Sequence, residues 1–199
     1  MTTANHAGRE VVYYVATTLD GFIARPDGSF SDFPWDEPYL PALLDLYPET
    51  FPAPMRPNAS AEENRRFDTV LMGRRTYEVG LRDGLTSPYP TLRQIVFSTT
   101  LDESPDADVE LVRGDAPAVV EGLLAEEGAD IWICGGSVLA TSLFNAGLVH
   151  RLVVKLNPIV FGEGIPLLTG SVRRPALRLT GQTVFDSGHV VLDYAVRSA

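Results

Sequence analysis

The chain has 199 residues, 45% hydrophobic and 21% charged, with a formal net charge of −10 at pH 7. That composition is globular, and the length suits one domain spanning residues 1–199 with a substantial core. It excludes general binding to nucleic acid or membrane surfaces, which needs clustered cations; a lone cysteine, Cys134, excludes an internal disulfide framework.

The opening stretch, MTTANHAGREVVYY, has no apolar signal core, and no run approaches a membrane span of about 20 residues, so a reducing cytoplasm is the expected setting. Val11 to Ala16 form an apolar run too continuous for a half-exposed strand, which predicts a buried central strand turning at Asp20-Gly21. Residues 25–60 are rich in proline and aromatics and read as a long loop or lid around a short helix near Leu40–Leu46. Ser60 with Glu63 gives a capping-box pattern. DTVLMG, QIVFS, DVELV and IWIC then read as strands, and RRTYEVGL, APAVVEGLLAEEG and SVLATSLFNAG as helices, the last stopped by Gly147. HRLVVKLNPIVFG is a strand entering a Gly/Pro loop, and the tail is a hairpin closed around Asp186–Gly188. Strands alternating with helices before a terminal hairpin predict an α/β fold whose mostly parallel sheet is flanked by antiparallel strands.

Ligands of such sheets bind at the carboxyl ends of the strands, which singles out four turns. In MGRRTYE, Gly73 lets a ligand approach the backbone, and Arg74 and Arg75 add forked cations beside a helix N-terminus. The other reading of this turn is a solvated arginine pair. ICGGSVL has the same strand-glycine-helix layout, without a G-x-G-x-x-G or Walker A sequence. Ser137 lacks a nucleophile elbow, and Cys134 ends a buried strand, where cysteine behaves as a small apolar residue. Ser98, Thr99 and Arg113 supply hydroxyls and a cation suited to an adenosine 2′-phosphate, or ordinary loop polarity. No Cys/His cluster has zinc spacing, so no metal site is expected.

Taken in order, VATTLDGFIA, DTVLMGRRTYE, IVFST, ICGGSVLATSLF and VHRLVVKLNPIVFGEGIPLL resemble the dihydrofolate reductase superfamily, in particular its branch related to the reductase domain of bacterial riboflavin biosynthesis. The resemblance implies a dihydrofolate reductase-like three-layer α/β/α fold with an eight-stranded sheet, an NADPH cofactor and a homodimer. Carried over by position, Ala16 and Ile23 would line the nicotinamide, with Asp20 and Gly21 shaping the loop over it. Gly73, Arg74, Arg75 and Thr76 would meet the phosphates, and Ser98, Thr99 and Arg113 the 2′-phosphate. Gly135, Gly136, Ser137, Val138 and Leu139, following Ile133, would hold the pyrophosphate.

Two departures bear on the substrate. True dihydrofolate reductases carry an acid on the first helix; counting back from Gly73 reaches Pro57, where there is no carboxylate. The deaminase pattern H-x-E…P-C-x-x-C is absent. Two candidates for proton donation remain: Asp36, after FPW, which could equally be a surface acid, and Lys155, the only lysine, which strand alternation could equally turn outward. The expected function is NADPH-dependent hydride transfer to a small pterin- or pyrimidine-like heterocycle. The alternatives are an NADP(H)-binding module without turnover and a hydrolase using Ser137 or Cys134.

Overall fold

A computed structural model describes residues 8–35 and 37–197. In chain order the elements are β1 (Val11–Thr17), β2 (Phe22–Ala24), α1 (Tyr39–Leu46), β3 (Phe67–Gly73), α2 (Arg74–Arg82), β4 (Arg93–Phe97), β5 (Val109–Val112), α3 (Ala116–Leu124), β6 (Asp130–Gly135), α4 (Ser137–Ala146), β7 (Arg151–Leu156), β8 (Ile165–Pro166), β9 (Ala176–Val184) and β10 (Val190–Arg197). Eight strands form one sheet in the order β5-β4-β3-β6-β1-β7-β10-β9. The ladders from β5 through β7 are parallel; β10 pairs antiparallel with both β7 and β9. This is the mostly parallel α/β sheet with a C-terminal antiparallel pair that the sequence predicts.

Strand alternation explains why VVYYVAT contains almost no polar residue. Val12 and Tyr14 point into a cluster with Val70, Met72, Val96, Trp132 and Val153, which Leu43 of α1 and Tyr77 of α2 cover. Val11, Tyr13 and Val15 point the other way, into a cluster with Leu71, Ile95, Ile131 and Ile133 under α3 and α4. Both faces of the central strands are therefore dry, as helices on both sides of a parallel sheet require. Burial of each such side chain contributes roughly 1.5–3 kcal/mol.

The helix ends differ in a way that bears on function. α4 stops at Gly147, whose φ of 75° suits a residue without Cβ; the Gly147 N–H donates to Phe144 O at 3.1 Å and the Leu148 N–H to Leu143 O at 3.0 Å. The starts of α2 and α4 have glycine N-caps, Gly73 and Gly136, with no side chain bonded to the first turn. Their leading N–H groups face the carboxyl edge of the sheet without a capping side chain.

Residues 47–66 contain only single 3-10 turns, at Pro48–Thr50, Ala53–Met55 and Ala61–Glu63. At the Ser60 pattern, Glu63 Oε2 accepts from the Ser60 N–H at 3.3 Å. Asn64, however, is extended and donates to Thr91 O at 2.9 Å, which draws the chain into β3 before a helix can grow. Glu49 anchors the insert. Its carboxylate, on a residue only 1% exposed, accepts the backbone N–H groups of Arg65, Arg66 and Phe67 at 3.2, 2.7 and 2.8 Å.

Candidate active site

The carboxyl ends of β3 and β6, adjacent in the sheet, bring the two glycine turns together. A Cβ on Gly73 would lie 3.9 Å from Gly135 O and Gly136 N, and one on Gly135 would lie 3.3 Å from Thr76 Oγ1. The Gly135-Gly136 peptide is cis. The result is a bare backbone floor between two helix N-termini, with the Thr76 hydroxyl at its side. Ser137 is buried at the start of α4, while Val138 is 74% exposed beside it. Ile133 and Leu139 lie in the core under this floor.

The paired arginines face different cavities. Arg74 lines one of about 270 Å³ with Ser98, Thr99, Thr100 and Gly114. Arg75 lines another of about 540 Å³ with Asp27, Gly28, Glu78 and Arg82. Arg74 Nη1 donates to Glu78 Oε1 at 2.7 Å. Arg113 is committed elsewhere, its Nη2 donating to the carbonyls of Leu101 and Asp102 at 2.7 Å each. The Ser98 hydroxyl accepts from the N–H groups of Thr100 and Leu101 at 3.2 and 2.9 Å, shaping the turn.

Beyond β1, Asp20 ties two loops. Its carboxylate accepts from the Thr18 hydroxyl at 2.5 Å and the N–H groups of Phe161 and Gly162 at 3.1 and 2.7 Å. Desolvation opposes ionisation of Asp20, but the Thr18 and backbone donors outweigh it and hold its pKa below the usual value. Gly21 takes φ 83°, and Ile23 packs against the core under α3 and α4. Three-residue β2 pairs with two-residue β8 to close this corner.

At the other side of β1, the register sets Ala16 beside Lys155, and Lys155 beside Val191. Lys155 shares the parity of buried Val153, so it faces the α1/α2 side of the sheet instead of turning outward. Its Nζ lies 4.0 Å from the centre of the Tyr14 ring. No hydrogen bond or ion pair engages the ammonium among the described residues. Burial brings its pKa down to about 8, against a smaller upward pull from Cys134. The Cys134 Sγ sits 3.6 Å from the Tyr89 hydroxyl, and desolvation pushes the thiol up to about 11. It is therefore a protonated thiol at neutral pH, unsuited to nucleophilic attack. Tyr14 and the thiol are the lysine's recorded neighbours, and Tyr89 stands behind the thiol. Sequence reasoning missed Tyr14 as a site residue; the only signal was its place on the central strand. Among the described residues the buried Tyr14 hydroxyl has no partner within hydrogen-bond geometry; the Thr50 hydroxyl, its polar neighbour, donates to Tyr47 O at 2.9 Å.

Asp36 lies outside the described residues, as does His6. His150 Nδ1 accepts the Val11 N–H at 3.0 Å, at the start of β1 and thus the far end of the sheet from Ser137. His189 is fully buried in the terminal hairpin, hydrogen-bonded to Ser187 and stacked on Tyr39 at 4.0 Å. Neither histidine is placed to activate Ser137. Among the described residues no group of His, Cys, Asp and Glu could hold a metal, and no helix is long and apolar enough to cross a membrane.

A sheet of this order, with two uncapped helix starts meeting over paired glycines, defines the dihydrofolate reductase-like class. Residues 9–191 match the model of the RibD C-terminal domain, and the chain belongs to that family. It is 30% identical to the uncharacterized protein YwjB of Bacillus subtilis (strain 168) over 96% of this chain and 99% of that one. A riboflavin-biosynthesis candidate protein from Shewanella sp. PV-4 superposes with a TM-score of 0.74 at 22% identity, covering 95% of this chain and 99% of the other. Dihydrofolate reductase from Enterococcus faecalis, complexed with NADP(H) and RAB-propyl, gives 0.60 at 20% identity, over 95% and 97% of the two chains.

Proposed function

We propose that the protein is an NADPH-dependent reductase that delivers hydride to a small pterin- or pyrimidine-like heterocycle, with Lys155 as the proton donor, and that it acts as a homodimer in the cytoplasm. The observation that carries this reading is the glycine floor: Gly73, Gly135 and Gly136 leave open, between two N-termini, the space that Cβ atoms would fill. The residues present fit a dinucleotide. Backbone N–H groups at the starts of α2 and α4, with Thr76 and Arg75, would hold its phosphates; Arg74 and Thr99 would meet a 2′-phosphate. Membership of a family named for a riboflavin-pathway domain supports the reductase class, and the Enterococcus protein of the same fold is recorded with NADP(H).

When bound, reduced nicotinamide supplies the hydride. The chain's own part is to orient it, exclude water and manage the proton. Lys155 is favoured over Asp36 for that last role because, among the described residues, no acceptor engages the ammonium, which sits beside Ala16 on the central strand. With a pKa of about 8 it is predominantly protonated at neutral pH and releases its proton far more readily than an ordinary lysine. Dihydrofolate is not the expected acceptor. The first helix is α1, well before the Pro57 position, and its one carboxylate, Asp45, pairs with Arg65 at 3.1 Å on the surface; Leu43 occupies its inner face, fully buried.

Thermal unfolding with NADPH and with NADH tests the cofactor claim. NADPH at 100 times its dissociation constant is expected to add about 2.7 kcal/mol of stability; no shift with NADPH sinks the reading. NADPH binding without oxidation across pterins, aminopyrimidines and dioxopyrimidines would instead favour a non-catalytic sensor.

A further inference from the structure

We infer that Glu78 sets how strongly this site discriminates NADPH from NADH, by attenuating the charge that Arg74 offers to a 2′-phosphate. The inference rests on the cofactor reading above and deepens it. Among the described residues Arg74 is the one cation lining the cavity formed with Ser98, Thr99, Thr100 and Gly114. Arg113, the other cation nearby, donates to the Leu101 and Asp102 carbonyls and is no part of that lining. Recognition of a 2′-phosphate therefore depends on a single guanidinium, and that guanidinium is shared. Its Nη1 is held at 2.7 Å by Glu78 one turn along α2, although Arg75 and Arg82 line the neighbouring cavity with Glu78 and, among the described residues, have no ion pair there.

Two effects of Glu78 compete. As an exposed i,i+4 partner it orients Arg74, but such pairs hold their geometry weakly. As a carboxylate one side chain away from the bound anion, it repels a phosphate monoester carrying about −1.5 to −2 charges at pH 7. The repulsion involves the larger charge and does not depend on a single rotamer, so it dominates. NADH has no 2′-phosphate and escapes it. Glu78 thus narrows the preference for the phosphorylated cofactor while leaving the rest of the cradle untouched.

The test compares Glu78→Gln with the natural protein, using 2′,5′-ADP and 5′-AMP as probes that differ by the 2′-phosphate, with NADPH and NADH in parallel. E78Q should bind 2′,5′-ADP about five- to tenfold more tightly and 5′-AMP within about twofold of the natural protein, as expected for a charge a few ångströms from a dianion in a solvated site. The gain should shrink in about 0.5 M salt, where exposed charges are screened within roughly 4 Å; a merely structural role for Glu78 would not respond to salt in this way. If the natural protein binds 2′,5′-ADP but E78Q leaves the ratio of the two affinities unchanged or lowers it, the inference is overturned and the cofactor reading stands. If the natural protein binds neither 2′,5′-ADP nor NADPH, both fall together.

Discussion

Lys155 is a charged group held where charge is unfavourable, and two opposite consequences follow from its removal. Desolvation lowers its pKa from 10.5 to about 8, so between those values the unfolded chain binds more protons than the folded one. Stability attributable to this group therefore rises with pH across that window. Lys155→Met keeps the length of the side chain and removes the unpaired charge. It should stabilise the fold by about 1 kcal/mol, the relief of desolvation exceeding the lost contact with the Tyr14 ring, and should flatten the rise above pH 8. Activity should move the other way. With Lys155 as proton donor, turnover falls as pH rises through about 8. K155M should lose about 10²–10⁴-fold in kcat/KM together with that descending limb, at unchanged NADPH affinity. A K155M enzyme that keeps both its rate and its pH profile would remove Lys155 from the mechanism. The glycines and arginines of the proposed cradle could be singled out in the sequence because their residue types act through backbone access and fixed charge, which sequence displays. The setting of Lys155 could not, since the Tyr14 ring reaches it only through the register of β1 and β7.

At the scale of elements, the long strands and helices could be read from the sequence because each carries its own period or a dry apolar run bounded by glycine. β2 and β8 could not: at three and two residues, they are too short to show alternation, and they pair only because the Asp20 carboxylate and neighbouring backbone bonds hold two distant loops together. The insert between α1 and β3 is a related case. Its prolines and aromatics read as a lid, but Glu49 fastens its first part to the entry of β3 through three backbone donors. A carboxylate that binds three N–H groups has no periodic signature, so it looked like any other acid in a loop. Glu49→Ala leaves those donors without their acceptor in a buried setting and should cost about 2–4 kcal/mol. Limited proteolysis should then cut within residues 47–66 before the sheet is lost, while NADPH affinity of the intact fraction stays unchanged. Unaltered stability in E49A would mean that water or another acceptor takes over the three N–H groups, and that the insert is held by its aromatic contacts alone.

Across the whole molecule, cover on both faces of the sheet falls away towards the C-terminal edge. The central strands lie under helices on both sides, whereas every residue of β9 is exposed. Leu177 and Leu179, each 46% exposed, pair with Val196 and Tyr194 of β10, and paired residues share a face, so these four side chains form one apolar surface. Beyond them β9 presents a free edge of nine residues with a single charge, Arg178, and no proline or inward-pointing charge to block pairing. An edge of that length is ordinarily protected in a soluble monomer. A net charge of −10 disfavours random self-association, so a specific contact here must rest on the apolar face and on strand pairing. The proposed homodimer is therefore expected to use β9. Sedimentation or light scattering at micromolar concentration should give twice the chain mass for the natural protein, and Leu179→Arg should return it to the chain mass as a folded monomer, because Leu179 contributes little to the monomer core; its unfolding temperature should fall only by the mass-action stabilisation the dimer supplied. A natural protein that runs at the chain mass throughout, or an L179R variant that remains a dimer, would move the interface elsewhere or remove it. Since the glycine floor lies at the ends of β3 and β6, well inside the sheet from this edge, the L179R monomer should still bind NADPH with undiminished affinity.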